Sequence, residues 1–428
     1  MPAKSKQVFE HDVLAVGDGG FTKSQFAALV RFNDAHGQKF FRVGYNKLQF
    51  TEYVGVIQVG DFAIEVLPKV GRVDAAEAMK WRRVLVKMLS EARVIASPVN
   101  EADLARTRSP LIDLYLNAFL IEAHDVVHRG LVKRYRREEG NVGVLKGRIL
   151  FAKQLRHNAL HAERIFTEHQ KFDRDNIVNQ ILKLALSIVA RSASSVHVTA
   201  AAKELLLAFD GVAMPALSAC TVAGFVWRRD TERYRSALQL ALLIIENYSP
   251  DMRAGTEHVL AIMVDMNRLF EKYVLVQLNR AKSAFSGIGI QVTDQVKFVL
   301  WGESGLRPDV TIDWVEQGKP RRVILDTKWK LPDAGVPSDP DLKQMYAYNL
   351  HCGAELSVLV YPHTAAGSPD IDRAFEIGRT PALAQLRHRC AMHFVNLFDG
   401  NGRLRTDIGE GLLRDAVGIS QVSAAAYA

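Results

Sequence analysis

The stretch Leu306–Lys330, LRPDVTIDWVEQGKPRRVILDTKWK, decides how the C-terminal part of this 428-residue chain is read. Two runs in it, Val310–Glu316 and Arg321–Lys328, are rich in β-branched residues and alternate in polarity, which predicts a pair of strands. Between them QGKP, Gln317 to Pro320, reads as a four-residue hairpin loop. That loop sets Glu316 across from Arg321, Thr311 across from Asp326, and Asp309 across from Lys328. Side chains on a strand alternate between faces. Asp309, Thr311, Asp313, Arg322, Asp326 and Lys328 therefore share one face, and Val310, Ile312, Trp314, Val323, Leu325 and Thr327 share the other. A slip of one residue would turn the apolar set onto the charged face, so the pattern protects the pairing.

Facing side chains on paired strands lie roughly 5–8 Å apart. Carboxylates that close repel, and one is driven toward its protonated form unless a cation offsets the charge. Mg2+ is commonly held by one or two carboxylates, with waters and a substrate phosphate completing its shell. Such an ion polarises a phosphodiester and acidifies a bound water, while a nearby lysine stabilises the charge that develops. The competing reading is an ordinary hairpin with a solvated charged face.

The surroundings are α/β. A helix is predicted over AIMVDMNRLFEKYVLVQLNRAKSAF, strands at QVKFVLW, LSVLVYP and MHFVNLF, and a helix at DPDLKQMYAYNLHC, so the order is α-β-β-β-α-β. Upstream, the chain to about Gly71 reads as β, with glycine breaks at Gly44, Gly55 and Gly60 and a hairpin at QVGDFAIEV. A helix follows at AAEAMKWRRVLVKMLSEARV, and residues from about Asp103 to Ser249 read as mostly helical. The expected fold class is α+β and multidomain. It has an N-terminal β-rich partner-docking region (1–102), a mostly helical region contributing to docking (103–258), an α/β domain (259–400) and a C-terminal tail (401–428).

Composition limits the function classes. Lys and Arg outnumber Asp and Glu by 55 to 47, which favours a polyanionic partner. The excess concentrates between Arg129 and Arg156, where Arg129, Lys133, Arg136 and Arg148 are candidate partner- or DNA-binding residues; the alternative is a solvated helix face. The longest apolar run, Ala237–Ile245, is too short to span a bilayer. Three scattered cysteines argue against a disulfide scaffold and fit a cytoplasmic protein. GDGGFTKS, Gly17 to Ser24, nearly reads as a phosphate-binding loop, but Thr22 stands where the glycine before the lysine belongs, so no bound nucleotide is expected. His157, His161 and His169 lack an accompanying acid or cysteine and read as polar surface, and Asp173 in FDRDN reads as a helix cap.

Pro308-Asp309 followed by Asp326-Thr327-Lys328 resembles the PD-(D/E)xK nuclease signature, and the α-β-β-β-α-β order matches that superfamily's core. The resemblance implies that Asp309 and Asp326 ligate Mg2+, with Mn2+ as a substitute, and that Lys328 is catalytic. It further implies that Glu271 in RLFEKYV adds a metal-facing carboxylate, and that Gln344 and Tyr348 line the site as a Q-x-x-x-Y pair. Arg307, directly before the motif, is placed to touch phosphate. YVGVIQVGDFAIEVLPKV, HRGLVKRY, LKGRILFAKQLRHN, FDRDNIVNQILKLAL and NRLFEKYV together resemble the McrC family, the nuclease subunit of McrBC-type modification-dependent restriction systems. This second resemblance runs from roughly Phe40 to Pro362. It implies a cytoplasmic endonuclease that cuts methylated double-stranded DNA, docked on an AAA+ GTPase hexamer of the McrB type that recognises the methylated base. Two other functions share these residues: a stand-alone repair or recombination nuclease, and a non-catalytic activator or scaffold of the GTPase.

Overall fold

The structure, a computed structural model, describes residues 4–71, 77–92, 111–161, 163–193, 195–215, 229–249, 258–332, 335–363, 371–376 and 388–419. The chain opens with β1 (Lys4–Phe9), β2 (Val13–Ala15), α1 (Lys23–Ala35), β3 (Phe41–Gly44), β4 (Lys47–Phe50), β5 (Tyr53–Val59) and β6 (Phe62–Leu67). GDGGFTKS is a glycine-rich turn leading into α1, and Thr22 caps the helix reciprocally with Gln25 rather than cradling phosphate. The Gly60-Asp61 pair turns β5 into β6, with Val59 opposite Phe62. Gly55, expected as a break, lies inside β5. Its φ is +137°, and an added Cβ would stand 2.1 Å from the Ile262 carbonyl, so a close backbone approach requires glycine there.

The middle of the chain holds α2 (Ala78–Glu91), α3 (Leu111–His128), β7 (Arg134–Val142), β8 (Arg148–Ile149), α4 (Phe151–Asn158), β9 (Ile165–Asp173), α5 (Ile177–Ser192), α6 (Val196–Leu207), α7 (Arg235–Glu246) and β10 (Tyr248–Ser249). The mostly helical reading of this region is corrected between Arg134 and Asp173, where β7, β9 and β8 form a separate three-stranded sheet. RYRREEGNV alternates between half-buried and exposed positions along its whole length, a period of two that no helix shares. The Ser109-Pro110 helix entry and most of the expected boundary at Ser249–Val259 lie outside the described residues.

The last part contains β11 (Val259–Asp265), α8 (Met266–Ala281), β12 (Gln291–Asp294), β13 (Phe298–Trp301), β14 (Ser304–Leu306), β15 (Val310–Glu316), β16 (Lys319–Thr327), α9 (Asp339–Cys352), β17 (Leu356–His363), β18 (Ile371–Ala374), β19 (Arg389–Asn396) and α10 (Ile408–Gly411). AIMVD, expected as the start of a long helix, is strand β11. It pairs antiparallel with β5 and completes the N-terminal sheet in the order β1-β6-β5-β11-β10. Asp265 ends that strand and caps α8, accepting from the backbone of Asn267 and Arg268. The second large sheet runs β12-β15-β16-β17-β19-β18, with α9 crossing over between the parallel strands β16 and β17. Residues 401–419 are not a tail. Ile408, Leu412, Leu413 and Ile419 are buried, and Gly409 lies so close to α8 that a Cβ would be 2.2 Å from the Gln277 carbonyl.

Candidate active site

The hairpin β15–β16 has a shorter turn than QGKP suggested. Gln317 and Gly318 both take positive φ, 49° and 76°, and close a two-residue turn with Glu316 opposite Lys319. Every pairing therefore shifts by two, placing Asp313 opposite Arg322 and Val310 opposite Leu325. A shift of two conserves the faces. Val310, Ile312, Val323 and Leu325 enter the main core, as expected. On the other face Ile324 enters a second core beneath α9, with Met345 and Tyr348, so that face is only partly a charged surface.

At the end of this hairpin the expected groups converge. Asp309 Oδ2 accepts from both the backbone N and Oγ1 of Thr327, each at 2.8 Å, which ties the start of one strand to the end of the next. Asp326 is 2% exposed. Its Oδ2 lies 2.6 Å from Lys328 Nζ, and its Oδ1 accepts from Gln344 Nε2 at 3.1 Å. Gln344 also accepts from Lys328 Nζ at 3.1 Å and donates to Tyr348 at 2.7 Å. Tyr348 in turn donates to the Arg307 carbonyl at 3.2 Å. Glu271, on the second turn of α8, is held by Gln295 Nε2 at 2.6 Å. The Arg307 side chain is exposed, and its contribution inside the site is a carbonyl.

The charges are strained. Burial, then the Asp309 charge, push Asp326 up to about 6, although Lys328 pulls the other way. Burial, then Asp309, raise Glu271 to about 7. Burial pulls Lys328 down, but Asp326 and Asp341 more than offset it and hold its ammonium above the ordinary value. Asp309 is thus felt by both other carboxylates. Among the described residues no three His, Cys, Asp or Glu side chains form a ready-made metal cage. The donor set instead suits an oxygen-loving ion that keeps most of its water, bound by one or two carboxylates.

Two partners in this network, and one contact beside it, were not singled out in the sequence. Asp341, at the start of α9, accepts from Lys330 at 2.8 Å and lies 3.5 Å from Lys328. Its place in SDPD behind Ser338 reads only as a helix start. Gln295 precedes a strand and carries no motif. Glu10, buried at the end of β1, accepts from Trp329 Nε1 at 2.8 Å across 319 positions of sequence, a contact no local pattern reveals.

The basic segment Arg129–Arg156 is a mixed-charge surface. Arg129 pairs with Asp125 at 3.0 Å, Arg136 with Asp173 at 3.1 Å, and Arg148 with Glu168 at 2.7 Å, whereas Lys133 is exposed. The acids come largely from β9, too far along the chain to be counted beside the arginines. Asp173 is not the helix cap expected of it; Asn176 caps α5, accepting from Asn179 N. The structure also leaves Val144, Leu145, Phe151, Leu155 and Leu160 between 54% and 93% exposed on this body.

These features define an α+β multidomain protein whose C-terminal mixed sheet carries an acid–acid–lysine centre. The fold is shared with a chain of a Thermococcus gammatolerans assembly, described as a refined half-complex from a tetradecameric assembly of McrB AAA+ hexamers with bound McrC. The TM-score is 0.63 at 20% identity, covering 96% of this chain and 100% of that one. A chain of the cryo-EM structure of the T. gammatolerans McrBC complex is 21% identical over 65% of this chain and 88% of its own, with a TM-score of 0.47. Curated proteins return no match. The model of the McrBC 5-methylcytosine restriction system component family matches residues 48–362, and the chain belongs to that family. Among the described residues no helix is long and apolar enough to cross a membrane.

Proposed function

We propose that this chain is the McrC-type, DNA-cleaving subunit of a 5-methylcytosine-dependent restriction complex, working with a divalent cation and docked on an AAA+ GTPase hexamer. The observation that carries the reading is the Asp309–Asp326–Lys328 cluster at one end of β15–β16, where Lys328 is bonded to Asp326, and Asp326 and the nearby Glu271 are both pushed toward protonation. Asp309 and Asp326 would hold the ion, with Glu271 as a further ligand or the holder of a bound water. When bound, Mg2+ supplies a polarised phosphoryl oxygen and an acidified water.

The chain's own residues do the rest. Thr327 fixes one oxygen of Asp309 through two hydrogen bonds, so the carboxylate is held in place before an ion binds. Gln344 accepts from Lys328 and donates to Asp326, so the ammonium is held before substrate arrives. Lys328 then orients the attacking water and stabilises the charge building on the scissile phosphate. No covalent intermediate is required. The exposed apolar residues of the β7–β9 body, with Arg129, Lys133, Arg136 and Arg148 beside them, are offered as the docking region for the motor. The solved assembly of similar fold contains McrB AAA+ hexamers with bound McrC, which supports such a hexamer as the partner. Recognition of the methylated base then belongs to the motor.

Reconstitution tests this function. The full chain, an AAA+ GTPase partner, GTP, Mg2+ and methylated duplex DNA should cleave. Asp326→Ala and Lys328→Ala should abolish cutting while partner binding and GTPase stimulation persist. Cutting by either variant would remove the site assignment. Cutting without partner or GTP would favour a stand-alone nuclease.

A further inference from the structure

Gln295 and Arg307 bracket an element the proposed chemistry does not use. Between them β13 and β14 form a two-stranded ribbon separate from the six-stranded sheet. Its foot is built into the site. Gln295 donates through its side chain to Glu271 and through its backbone to the Asp309 carbonyl, and the Arg307 carbonyl accepts from Tyr348. Phe298 and Leu306, opposite each other in the ribbon, pack on the core beneath α9, and the Arg322 guanidinium lies 5.6 Å from the Phe298 ring centre. Beyond that anchor the ribbon turns apolar and bare. Val299 is 70% exposed, Leu300 49% and Trp301 85%, and Gly302 turns the chain with φ of 55°. Lys297 and Arg307 are exposed along it, against the single acid Glu303.

We propose that this ribbon is a DNA-contacting arm, and that Trp301 wedges against a base step of the duplex lying across the Asp309–Asp326–Lys328 site. The inference rests on the nuclease reading above and adds how the substrate is gripped. An exposed apolar patch marks an interaction surface, and this one grows directly out of the residues that hold the catalytic carboxylates. From Val296 to Trp301 five residue steps reach about 17 Å at roughly 3.3 Å per residue, the rise of about five base pairs. Lys297 and Arg307 are placed to neutralise phosphates along that path. The tip offers an aromatic face and aliphatic side chains, and few groups able to read base edges. That chemistry suits stacking or wedging, which tolerates any sequence. Sequence-tolerant grip is what a cutting subunit needs when its partner selects the base.

The test uses the full chain in EDTA, so that no cleavage occurs, with a 24-base-pair duplex carrying 2-aminopurine at successive positions. The unaltered chain should raise 2-aminopurine emission at one step roughly five base pairs from the phosphate aligned with the site. Trp301→Ala should remove that rise and weaken binding about tenfold or more, while Trp301→Phe should keep most of both. Unchanged emission or unchanged affinity in Trp301→Ala overturns the proposal. So does a change in the oligomeric state of Trp301→Ala, which would assign the tip to another copy of the chain. The parent reading fails separately: cleavage by Asp326→Ala in the reconstituted complex removes the nuclease site whatever Trp301 does.

Discussion

Gln344 touches Lys328, Asp326 and Tyr348 at once, so it is the residue whose loss separates positioning from chemistry. Gln344→Ala should lower kcat between about tenfold and a hundredfold with KM for DNA little changed, because the reacting groups remain but their aim is lost. Single-turnover cleavage measures this, and an unaltered rate would show that the amide only fills space. The carboxylates make a pH prediction. Asp326 and Glu271 titrate near 6 and 7, above their ordinary values, so the folded chain holds protons that the unfolded chain has released. The stability they contribute is fully present below the ordinary carboxylate range and is lost as pH rises through about 6 and then about 7. A cation binding the ionised pair reverses that loss. Mg2+ should therefore raise Tm more at pH 8 than at pH 5.5, and an equal rise at both would place the ion elsewhere. Asp309, Asp326 and Lys328 were legible in the sequence because charge at strand spacing against an apolar back face is a local pattern, whereas Glu271 and Gln344, on helices, came only with the family resemblance. Asp341 was not, since an acid at a helix start explains itself without any site.

Single elements carry their own consequences. The β15–β16 pairing shows how a register error can leave function intact. QGKP looked like a four-residue loop because Pro320 resembles a turn residue, yet it sits opposite Val315, within the paired strand. Along the paired strands the side on which each residue lies survived because the shift was even, but at the open end Thr327, expected on the apolar face, bonds Asp309 of the charged one. The helix expected at AIMVD failed for a different reason: a short apolar run has no period of its own, and pairing with a distant β5 decides it. Gly55 belongs to that pairing. Gly55→Ala should cost about 1–3 kcal/mol or more, because the new Cβ meets the Ile262 carbonyl and φ is positive. Denaturant melts measure this, and a neutral result would mean the two strands separate easily. Glu10 gives a paired expectation. Glu10→Ala leaves Trp329 Nε1 and the Lys69 backbone N without their acceptor and should destabilise by about 1–3 kcal/mol, whereas Glu10→Gln keeps an oxygen there and should recover most of it.

Across the whole molecule, the expected domains share one interior. A single apolar cluster runs from Phe9 and Val54 through Trp81, Tyr115 and Leu242 to Phe270, Val310, Val358 and Leu412. Trp329 stands edge-on to both Trp81 and Phe270, with ring centres 6.4 and 5.3 Å apart. A fragment beginning at residue 259 would take β11 from its partner β5 and strip Trp329 of Trp81 and Glu10. It should therefore be insoluble or unfolded, and circular dichroism of the fragment checks this. The β7–β9 body, by contrast, keeps Val144, Leu145, Phe151, Leu155 and Leu160 exposed among the described residues.

β11 passes into α8 without an intervening residue: Asp265 closes the strand and Met266 opens the helix. The strand is hydrogen-bonded into the sheet of the N-terminal half, and Glu271 lies five residues further on, about 7.5 Å along the helix axis. The N-terminal sheet and the Glu271 carboxylate are thus joined by unbroken hydrogen-bonded secondary structure, with no loop between them. A rotation of that sheet would carry α8 with it and change the spacing between the Glu271 and Asp309 carboxylates.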